Sequence, residues 1–375
     1  MRNPIVWASL ATLGLAIVAM PASAQQSIAA QGSFKSPLPF FKDLTKWDPN
    51  YKPPRTPDGK PDLQGTWSSA SLTTMSRGGR NGGAGVSTLV IPQEKIDELT
   101  YNSYYNTRLR NDNAKTAETA TAGDGKGGGD VKGYNNFWID PGSEYAKVNG
   151  EYRSSWIVDP PSGAVPRAAR NAATAGGAGG RSALAARSSN TGPEVRSLGD
   201  RCLISFGSQA GPPLTNAMYN NQIQIVQTPD HVMLDVEMNH DARIIRLQKQ
   251  GETEARLPLP VKRWFGDSIG WWEGDTLVVE TRNVHPIQER AGAVPISEKG
   301  KVTERFTRVS DKEIFYQFTV EDPTYYSQAW KGEMPLRLSA EKVFEYACHE
   351  GNYALPGMLR GQAMDRDTAI NAEGE

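Results

Sequence analysis

The amino-acid sequence predicts a mainly β protein in which an antiparallel meander closes into a barrel, with one N-terminal helix and long low-complexity loops. From Cys202 onward, short β-like runs alternate with turn residues at nearly regular spacing. Three pairs of these runs also flank short polar turns, as hairpins do. Successive hairpins with this many strands close into a barrel or pack as a sandwich, because both arrangements remove exposed edges. We favour the barrel.

The chain begins with the pattern of a cleavable signal peptide. Arg2 precedes an apolar run over residues 4–20, and Ala22-Ser23-Ala24 has the A-x-A form that signal peptidase reads. The alternative is an uncleaved anchor, but the run is shorter than the roughly 20 residues that span a bilayer. We therefore expect a periplasmic or secreted protein that begins at Gln25 and has no membrane association after cleavage.

The remaining chain is predicted to hold one domain with mobile additions. The segments are an extended Pro-rich arm at 25–62, a barrel-like domain at 63–360, flexible insertions at 77–88, 113–133 and 163–197, and a polar tail at 361–375. A helix is expected to open at Pro92, because Pro is tolerated at a first helical position. Ile96, Leu99 and Tyr104 then recur at helical spacing, and the helix should end near Asn111.

Three hairpins account for most predicted strands. Their strands cover 222–227 with 231–237, 270–272 with 276–281, and 302–309 with 313–320. The intervening turns are Thr228-Pro229-Asp230, Glu273-Gly274-Asp275 and Ser310-Asp311-Lys312, and Pro229 has the fixed φ that suits a turn. Further strands are expected at 63–67, at 153–158 and, late in the chain, at 340–348.

Charge and motifs exclude several classes of partner. Charged residues make up 22% of the chain, the formal net charge is -1 and the basic residues are scattered, so we expect no nucleic-acid partner. The glycines lie in low-complexity stretches that lack the strand and helix context of nucleotide-binding motifs. We predict a protein without cofactors.

The two cysteines, Cys202 and Cys348, are expected to be bonded to each other, because disulfides persist in oxidising compartments. The alternative is a reactive or metal-binding thiol pair. Two cysteines so far apart in sequence lack the close pair spacing of zinc sites. We therefore expect the bond to be structural.

Several blocks resemble a widespread family of exported, mostly uncharacterised proteins of Gram-negative bacteria. They are DGKPDLQGTW at 58–67, WIVDPP at 156–161, QIVQTP at 224–229, EMNHDARII at 237–245, WEGDTLVVET at 272–281 and YACHEGNY at 346–353. The resemblance covers most of the mature chain and implies no settled activity. Gly65-Thr66-Trp67 is also similar to the G-x-W start of lipocalin-type barrels, which implies that Trp67 plugs the closed end of the barrel.

A polar block between two β-like runs contains the main candidate catalytic residues. In an unbroken strand, Glu237, Asn239, Asp241 and Arg243 share one face, and a turn at Asn239-His240 would bring His240 round to them. A histidine oriented by a carboxylate acts as general acid or base, and an arginine can stabilise an oxyanion. The alternative is an Asp241–Arg243 ion pair with His240 as a turn residue.

His349 and Glu350 form a second candidate catalytic block. We expect His240 and His349 to face one cavity with a carboxylate from Glu237, Asp241 or Glu350, because buried polar groups are costly unless paired. Such a set can also bind a metal, but no close ligand spacing is present, and we predict no metal site.

Aromatic residues are the candidate substrate-binding groups: Trp264, Trp271, Trp272 and Tyr346. Adjacent Trp271 and Trp272 face opposite ways on a strand, so one of them can enter a cavity. The alternative for each is an ordinary core residue. A cavity lined with such rings and a few polar groups suits a small aromatic or apolar molecule.

Together these features favour an exported, cofactor-free lyase, isomerase or hydrolase that uses His240 as acid or base on a small aromatic or apolar molecule. The alternative is a periplasmic small-molecule binding protein of lipocalin type that catalyses nothing. A third reading is an envelope structural protein with a filled interior. The polar block favours the enzyme by a small margin, because ligand burial alone needs no titratable cluster.

Overall fold

The computed structural model describes residues 46–77, 86–103, 142–168, 196–205, 209–217, 219–249, 256–258, 260–289, 292–350, 352–353, 355–357 and 359–360. The predicted signal peptide, the start of the arm, most of the three insertions, the expected end of the helix and the polar tail lie outside the described residues.

Nine of the twelve described strands form a closed barrel, as predicted. The strands are β1 Gly65–Ser68, β2 Lys147–Val148, β3 Glu151–Tyr152, β4 Ile157–Asp159, β5 Gln222–Gln227, β6 His231–Val236, β7 Asp241–Leu247, β8 Asp267–Glu273, β9 Thr276–Arg282, β10 Lys301–Ser310, β11 Glu313–Glu321 and β12 Trp330–Leu338. The barrel order is β1 and then β5 to β12, and β12 pairs back with β1 through Trp67 and Leu338. β4 adds to β12, and β2 pairs with β3 alone.

The three predicted hairpins are confirmed as β5–β6, β8–β9 and β10–β11. The barrel differs from the expected antiparallel meander at one place, because β7 and β8 are parallel. A parallel neighbour requires the chain to return to the end from which it started, and the connection 248–266 makes that return. Hairpin turns are local in sequence, whereas nothing in 248–266 signals this crossover.

The last barrel strand is β12, and the predicted strand at 340–348 was wrong. Residues 342–347 form no regular structure, and they contact the β6–β7 turn through backbone groups instead of pairing with a strand. β12 was missed because Gly332 and Pro335 lower strand propensity. Gly332 nevertheless has a packing reason, since a Cβ there would lie 2.2 Å from Cζ of Phe318.

Aromatic side chains fill much of the barrel interior. Trp67, Phe306 and Tyr316 are fully buried. The Trp67 indole donates to the Leu63 carbonyl at 2.9 Å, and the Arg308 guanidinium lies 5.5 Å from the ring centre. This placement is consistent with Trp67 plugging one end of a lipocalin-like barrel.

Smaller elements cover the outside of the barrel. A 3-10 turn at Gln93–Lys95 leads into helix α1 at 96–103, and the predicted Ile96 and Leu99 are buried in a second apolar cluster. The described part of the arm packs on the barrel wall, where Trp47 donates to Glu313 at 3.0 Å. In the part of the chain that the structure describes, no helix has the length and apolarity needed to cross a bilayer.

Candidate functional site

Two long connections and the β6–β7 turn gather at one end of the barrel, which we call the mouth. Successive antiparallel strands alternate in direction, so the three short hairpin turns lie together at the opposite end. The mouth therefore carries the β6–β7 turn at 237–240, the β9–β10 connection at 283–300 and the β11–β12 connection at 322–329.

Residues 209–215, the mouth segment, cross the mouth and bond to groups inside the barrel. The Ala210 carbonyl accepts from Arg243 Nη1 at 2.9 Å, and the Leu214 N–H donates to the Tyr316 hydroxyl at 2.9 Å. Gly211 has a φ of 77°, and a Cβ there would lie 2.3 Å from the Pro213 carbonyl oxygen, so glycine is required. The barrel beneath thus fixes the mouth segment.

Arg243, a predicted catalytic residue, lies inside the barrel below the mouth segment. It is 2% exposed and forms a bidentate ion pair with the fully buried Glu304, which also accepts from the Tyr316 hydroxyl at 2.7 Å. Burial lowers the pKa of Arg243, but the charge of Glu304 and the hydrogen bonds to it together outweigh burial, so the pKa is raised. Arg243 therefore pairs with Glu304, and the alternative partner Asp241 is bonded elsewhere.

The β6–β7 connection is the turn that the sequence left open as an alternative to an unbroken strand. Met238–His240 form a 3-10 turn in which Asn239 has a φ of 65° and His240 a φ of 51°. Left-handed backbone costs a non-glycine residue roughly 1–2 kcal/mol, although Asn and His adopt it more often than most residues. The turn removes His240 from the strand alternation, and its side chain is exposed.

Glu237 and Asp241 flank this turn, and both are buried. Glu237 accepts from the backbone N–H groups of Gln222 and Phe344, both at 3.2 Å. Asp241 accepts from the Ser205 N–H at 2.7 Å. Burial raises the pKa of Asp241, and the hydrogen bonds from Ser205 and the turn only partly offset this effect. The two carboxyl groups hold neighbouring segments to the turn.

His240 contacts residues 342–347, the segment that follows β12 and which we call the C-terminal segment, through its ring. Its Nε2 accepts from the Tyr346 N–H at 3.3 Å, so the neutral imidazole carries its proton on Nδ1. Nearby, burial raises the pKa of Asp235, and the charge of His240 partly offsets the rise. At the surface of the mouth, His240 thus contacts Tyr346 and lies close enough to Asp235 to affect its pKa.

Two phenols complete this cluster. The Tyr219 and Tyr346 hydroxyls are hydrogen-bonded to each other. Burial, the neighbouring Tyr219 and the charge of Asp241 raise the pKa of Tyr346 to about 12, and burial also raises the pKa of Tyr219. Both groups stay protonated at neutral pH, and their mutual hydrogen bond uses the proton of one hydroxyl, so only the other can donate elsewhere. Tyr346, predicted to bind substrate, therefore lies with His240 and Asp241.

The predicted disulfide between Cys202 and Cys348 is confirmed, with a Cα–Cα distance of 5.8 Å. It holds the C-terminal segment against residues 196–205, and the Asn352 amide supports this by donating to a carbonyl there. His349 and Glu350 follow the disulfide and are exposed. Since His240 is also exposed, the described side chains do not enclose the two histidines in one cavity.

Of the three predicted substrate-binding tryptophans, Trp264 lies at the mouth end of the barrel, and Trp271 and Trp272 lie towards the opposite end. Trp264 is 37% exposed and stacks on His285 with ring centres 4.6 Å apart. Trp271 lies near the opposite end of the barrel and donates to Glu273 at 3.0 Å. Trp272, facing the other way on β8, packs against the core. The structure therefore brings only Tyr346 together with the candidate acid–base residues.

A pocket with an enclosed space of about 10 Å³, room for roughly one water molecule, lies between the mouth segment and the β9–β10 connection and opens into a wider, solvent-exposed depression. Five apolar residues form its walls: Pro212, Pro213, Val284, Val294 and Ile296. The other lining residues are Gly211, Thr215, Gln288, Glu289 and Gly292. We call this site the mouth pocket.

Two polar side chains of the β9–β10 connection hold the mouth pocket together. Gln288 accepts from the Phe265 N–H at 2.6 Å and donates to the Gly211 carbonyl at 3.0 Å. Glu289 accepts from the Tyr325 hydroxyl at 2.6 Å. The sequence analysis missed both residues, because they lie in a connection without strand pattern. The adjacent Pro212-Pro213 pair was the signal that could have marked a fixed loop.

Among the described residues, no three His, Cys, Asp or Glu side chains gather closely enough to hold a metal ion. The fold and the site together define a disulfide-bonded barrel protein whose mouth is covered by a fixed segment. Comparison with protein-family models, with curated proteins and with solved structures found no match.

Proposed function

We propose that the protein is exported and binds a small molecule in the mouth pocket. The pocket itself carries this proposal, because a concave, mostly apolar site with few polar groups at the mouth of a β-barrel is a common place for ligands. Export rests on the signal pattern at residues 1–24, and the disulfide supports it, since such bonds persist in oxidising compartments.

The volume of the mouth pocket limits the size of the ligand. Ligand pockets usually span about 300–1,000 Å³, whereas the enclosed space here is only about 10 Å³ and the rest of the depression is open to solvent. The barrel interior below the mouth segment is occupied by Arg243, Glu304 and Tyr316. We therefore expect that only a small apolar end of the ligand enters the enclosed part of the pocket.

The floor of the pocket is arranged before a ligand arrives. The backbone of Pro212 and Pro213 has a fixed φ, and the residues on either side of them bond to the barrel interior. A rigid site loses less conformational entropy on binding than a mobile loop does. The rigid floor therefore favours interpretation of the pocket as a preformed binding site and not as an incidental space between two loops.

A pair of neighbouring substitutions tests this proposal. Val294 lines the pocket, whereas Ala293 is exposed beside it. Compounds found by calorimetric screening of small aliphatic and aromatic molecules should lose binding to Val294→Phe and keep it with Ala293→Phe. Thr215→Leu fills the pocket from the other side. If both variants lose binding, a folding defect of Val294→Phe alone does not explain the loss. Unchanged affinity in Val294→Phe and Thr215→Leu would reject the site.

Acid–base catalysis is the second candidate function, and the backbone at His240 favours it. Strained non-glycine residues cluster at functional sites, and here two successive ones present an imidazole beside Tyr346 and Asp241. In this arrangement His240 Nδ1–H can donate a proton, and the Tyr346 hydroxyl can do so once its bond to Tyr219 is released. Accepting a proton on Nε2 requires that this atom first leaves the Tyr346 N–H. The reaction classes are those of a cofactor-free lyase, isomerase or hydrolase.

This second candidate predicts a large kinetic effect without loss of fold. A positioned acid or base contributes roughly 10²- to 10⁴-fold to rate. If a screen of ester, amide and lyase substrates finds turnover, His240→Gln should lose at least about 100-fold of it at an unchanged melting temperature. Equal turnover in the variant would exclude His240 as the acid or base.

A further inference from the structure

We infer that His240 is a pH-sensitive latch, which holds the backbone of Tyr346 while its imidazole is neutral and releases it when the imidazole is protonated. This inference goes beyond ligand binding in the mouth pocket and adds a form of regulation to the acid–base candidate. Its basis is the contact in which Nε2 of His240 accepts from the Tyr346 N–H at 3.3 Å. A protonated imidazole has two N–H donors and no acceptor, so only neutral His240 can make this contact.

The latch acts on a short stretch of chain between two fixed points. On one side, the Phe344 N–H donates to the buried carboxylate of Glu237 at 3.2 Å. On the other side, the disulfide holds Cys348. Tyr346 lies between these points, so opening of the latch moves the chain around Tyr346 and leaves both ends of the stretch attached. The change is therefore local and reversible, and it does not require the barrel to unfold.

Two carboxylates beside the β6–β7 turn favour the protonated imidazole. Burial raises the pKa of Asp235 on β6 and of Asp241 on β7, and the charge of His240 is among the effects that offset each rise. This attraction is mutual, so both carboxylates also stabilise the imidazolium. Protonated His240 thus loses the amide donor and gains two carboxylate partners. The other titratable groups around the contact are Glu237 at the start of the turn, Tyr219, Tyr346 and its neighbour Glu345.

The closed and open forms of the latch differ by one proton, so pH selects between them. The closed form contains neutral His240, and the open form contains the imidazolium and therefore binds one proton more. The closed form is favoured at high pH and is lost as pH falls through the range from about 8 to 5, in which histidines change charge. Opening frees the Nε2–H of the exposed imidazolium, which is the proton donor that acid catalysis by His240 requires.

NMR solvent exchange on the mature protein tests the latch without a ligand or substrate. Between about pH 8 and pH 5.5, protection of the Tyr346 N–H should fall roughly 2- to 10-fold after correction for intrinsic exchange, the range expected for one hydrogen bond. The Phe344 N–H should keep its protection. His240→Gln has an acceptor at both pH values, so its Tyr346 N–H should stay protected. His240→Lys has donors only, so protection there should be low at both.

His285 provides the matched control, because its Nδ1 also accepts a backbone N–H, from Ile287 at 3.2 Å. His285→Gln should keep the full loss of Tyr346 protection at low pH. Equal protection of the parent at both pH values, a loss that persists in His240→Gln, or full protection in His240→Lys would overturn the latch. Turnover is a separate readout: if the latch opens as described but His240→Gln keeps its turnover, the acid–base candidate fails and the latch stands.

Discussion

Removing either member of the Arg243–Glu304 ion pair should destabilise the barrel strongly. Removing both members should cost less than the sum of the two single losses. The pair is almost fully buried, at 2% and 0% exposed, and it also bonds the mouth segment and Tyr316. A single Glu304→Leu or Arg243→Met variant leaves an uncompensated charge inside the barrel. Losing one partner of a buried pair costs about 3–5 kcal/mol.

The double variant Arg243→Met/Glu304→Leu buries no charge. It still leaves the Ala210 carbonyl without its donor, which costs about 1–3 kcal/mol. Its destabilisation should therefore be smaller than the sum of the single variants by at least roughly 2 kcal/mol. Because large domains shift by about 2–4 °C per kcal/mol, each single variant should melt at least roughly 6 °C below the parent.

Urea unfolding of the parent and the three variants measures this coupling. A single variant within about 1 kcal/mol of the parent would refute the argument, and so would a double variant that equals the sum of the singles. The same series separates two roles for Arg243. A catalytic arginine would lose turnover at unchanged stability, whereas the observed burial predicts loss of stability first.

Three further predictions concern the mouth. Replacing Cys202 and Cys348 by Ala should lower the free energy of unfolding by about 5 kcal/mol, from closure of a loop with a sequence separation of 146; a loss below about 1 kcal/mol in urea unfolding would contradict this. His240→Gly should be more stable than His240→Ala by about 1 kcal/mol, because only glycine adopts the φ of 51° freely; equal stabilities would show that the turn is not strained. Burial raises the pKa of Asp235 in the folded state, so the folded state binds more protons and stability is lost as pH rises from about 4 through that raised pKa. Asp235→Asn should therefore stabilise the protein at pH 7 and have a smaller effect at pH 4, and an equal effect at both pH values would contradict this.

The parts of the fold that depend on local sequence were predictable. The β5–β6, β8–β9 and β10–β11 hairpins are set by turn residues and by strand runs on either side. The α1 helix followed from Pro92 and the spacing of Ile96 and Leu99. These features need no knowledge of the rest of the chain.

Features that depend on distant contacts were not predictable in the same way. β12 carries Gly332 because of the Phe318 ring on the neighbouring strand, and no local pattern records that contact. The β7–β8 crossover is likewise invisible in 248–266. A strand was predicted at 340–348 from its aromatic residues, but that segment is held by the disulfide and by the β6–β7 turn.

The candidate site was predictable in part. The polar block around His240 and the cysteine pair did identify one side of the mouth, and the alternative of a turn at Asn239-His240 was the correct one. Residue type alone did not reveal that Arg243 pairs with Glu304, because their separation of 61 positions leaves no pattern. The mouth pocket was missed because Glu289 and the mouth segment meet only in the fold.

The most direct test of ligand binding at the mouth is an NMR titration that follows single methyl groups. Val284, Val294 and Ile296 report on the mouth pocket, and Ile244, which is 50% exposed, serves as the control. Saturable shifts of the three pocket methyls by a screened small molecule, with Ile244 unchanged, are the result that we expect. Equal shifts at Ile244, or no saturable shift with any compound, would contradict binding in the mouth pocket.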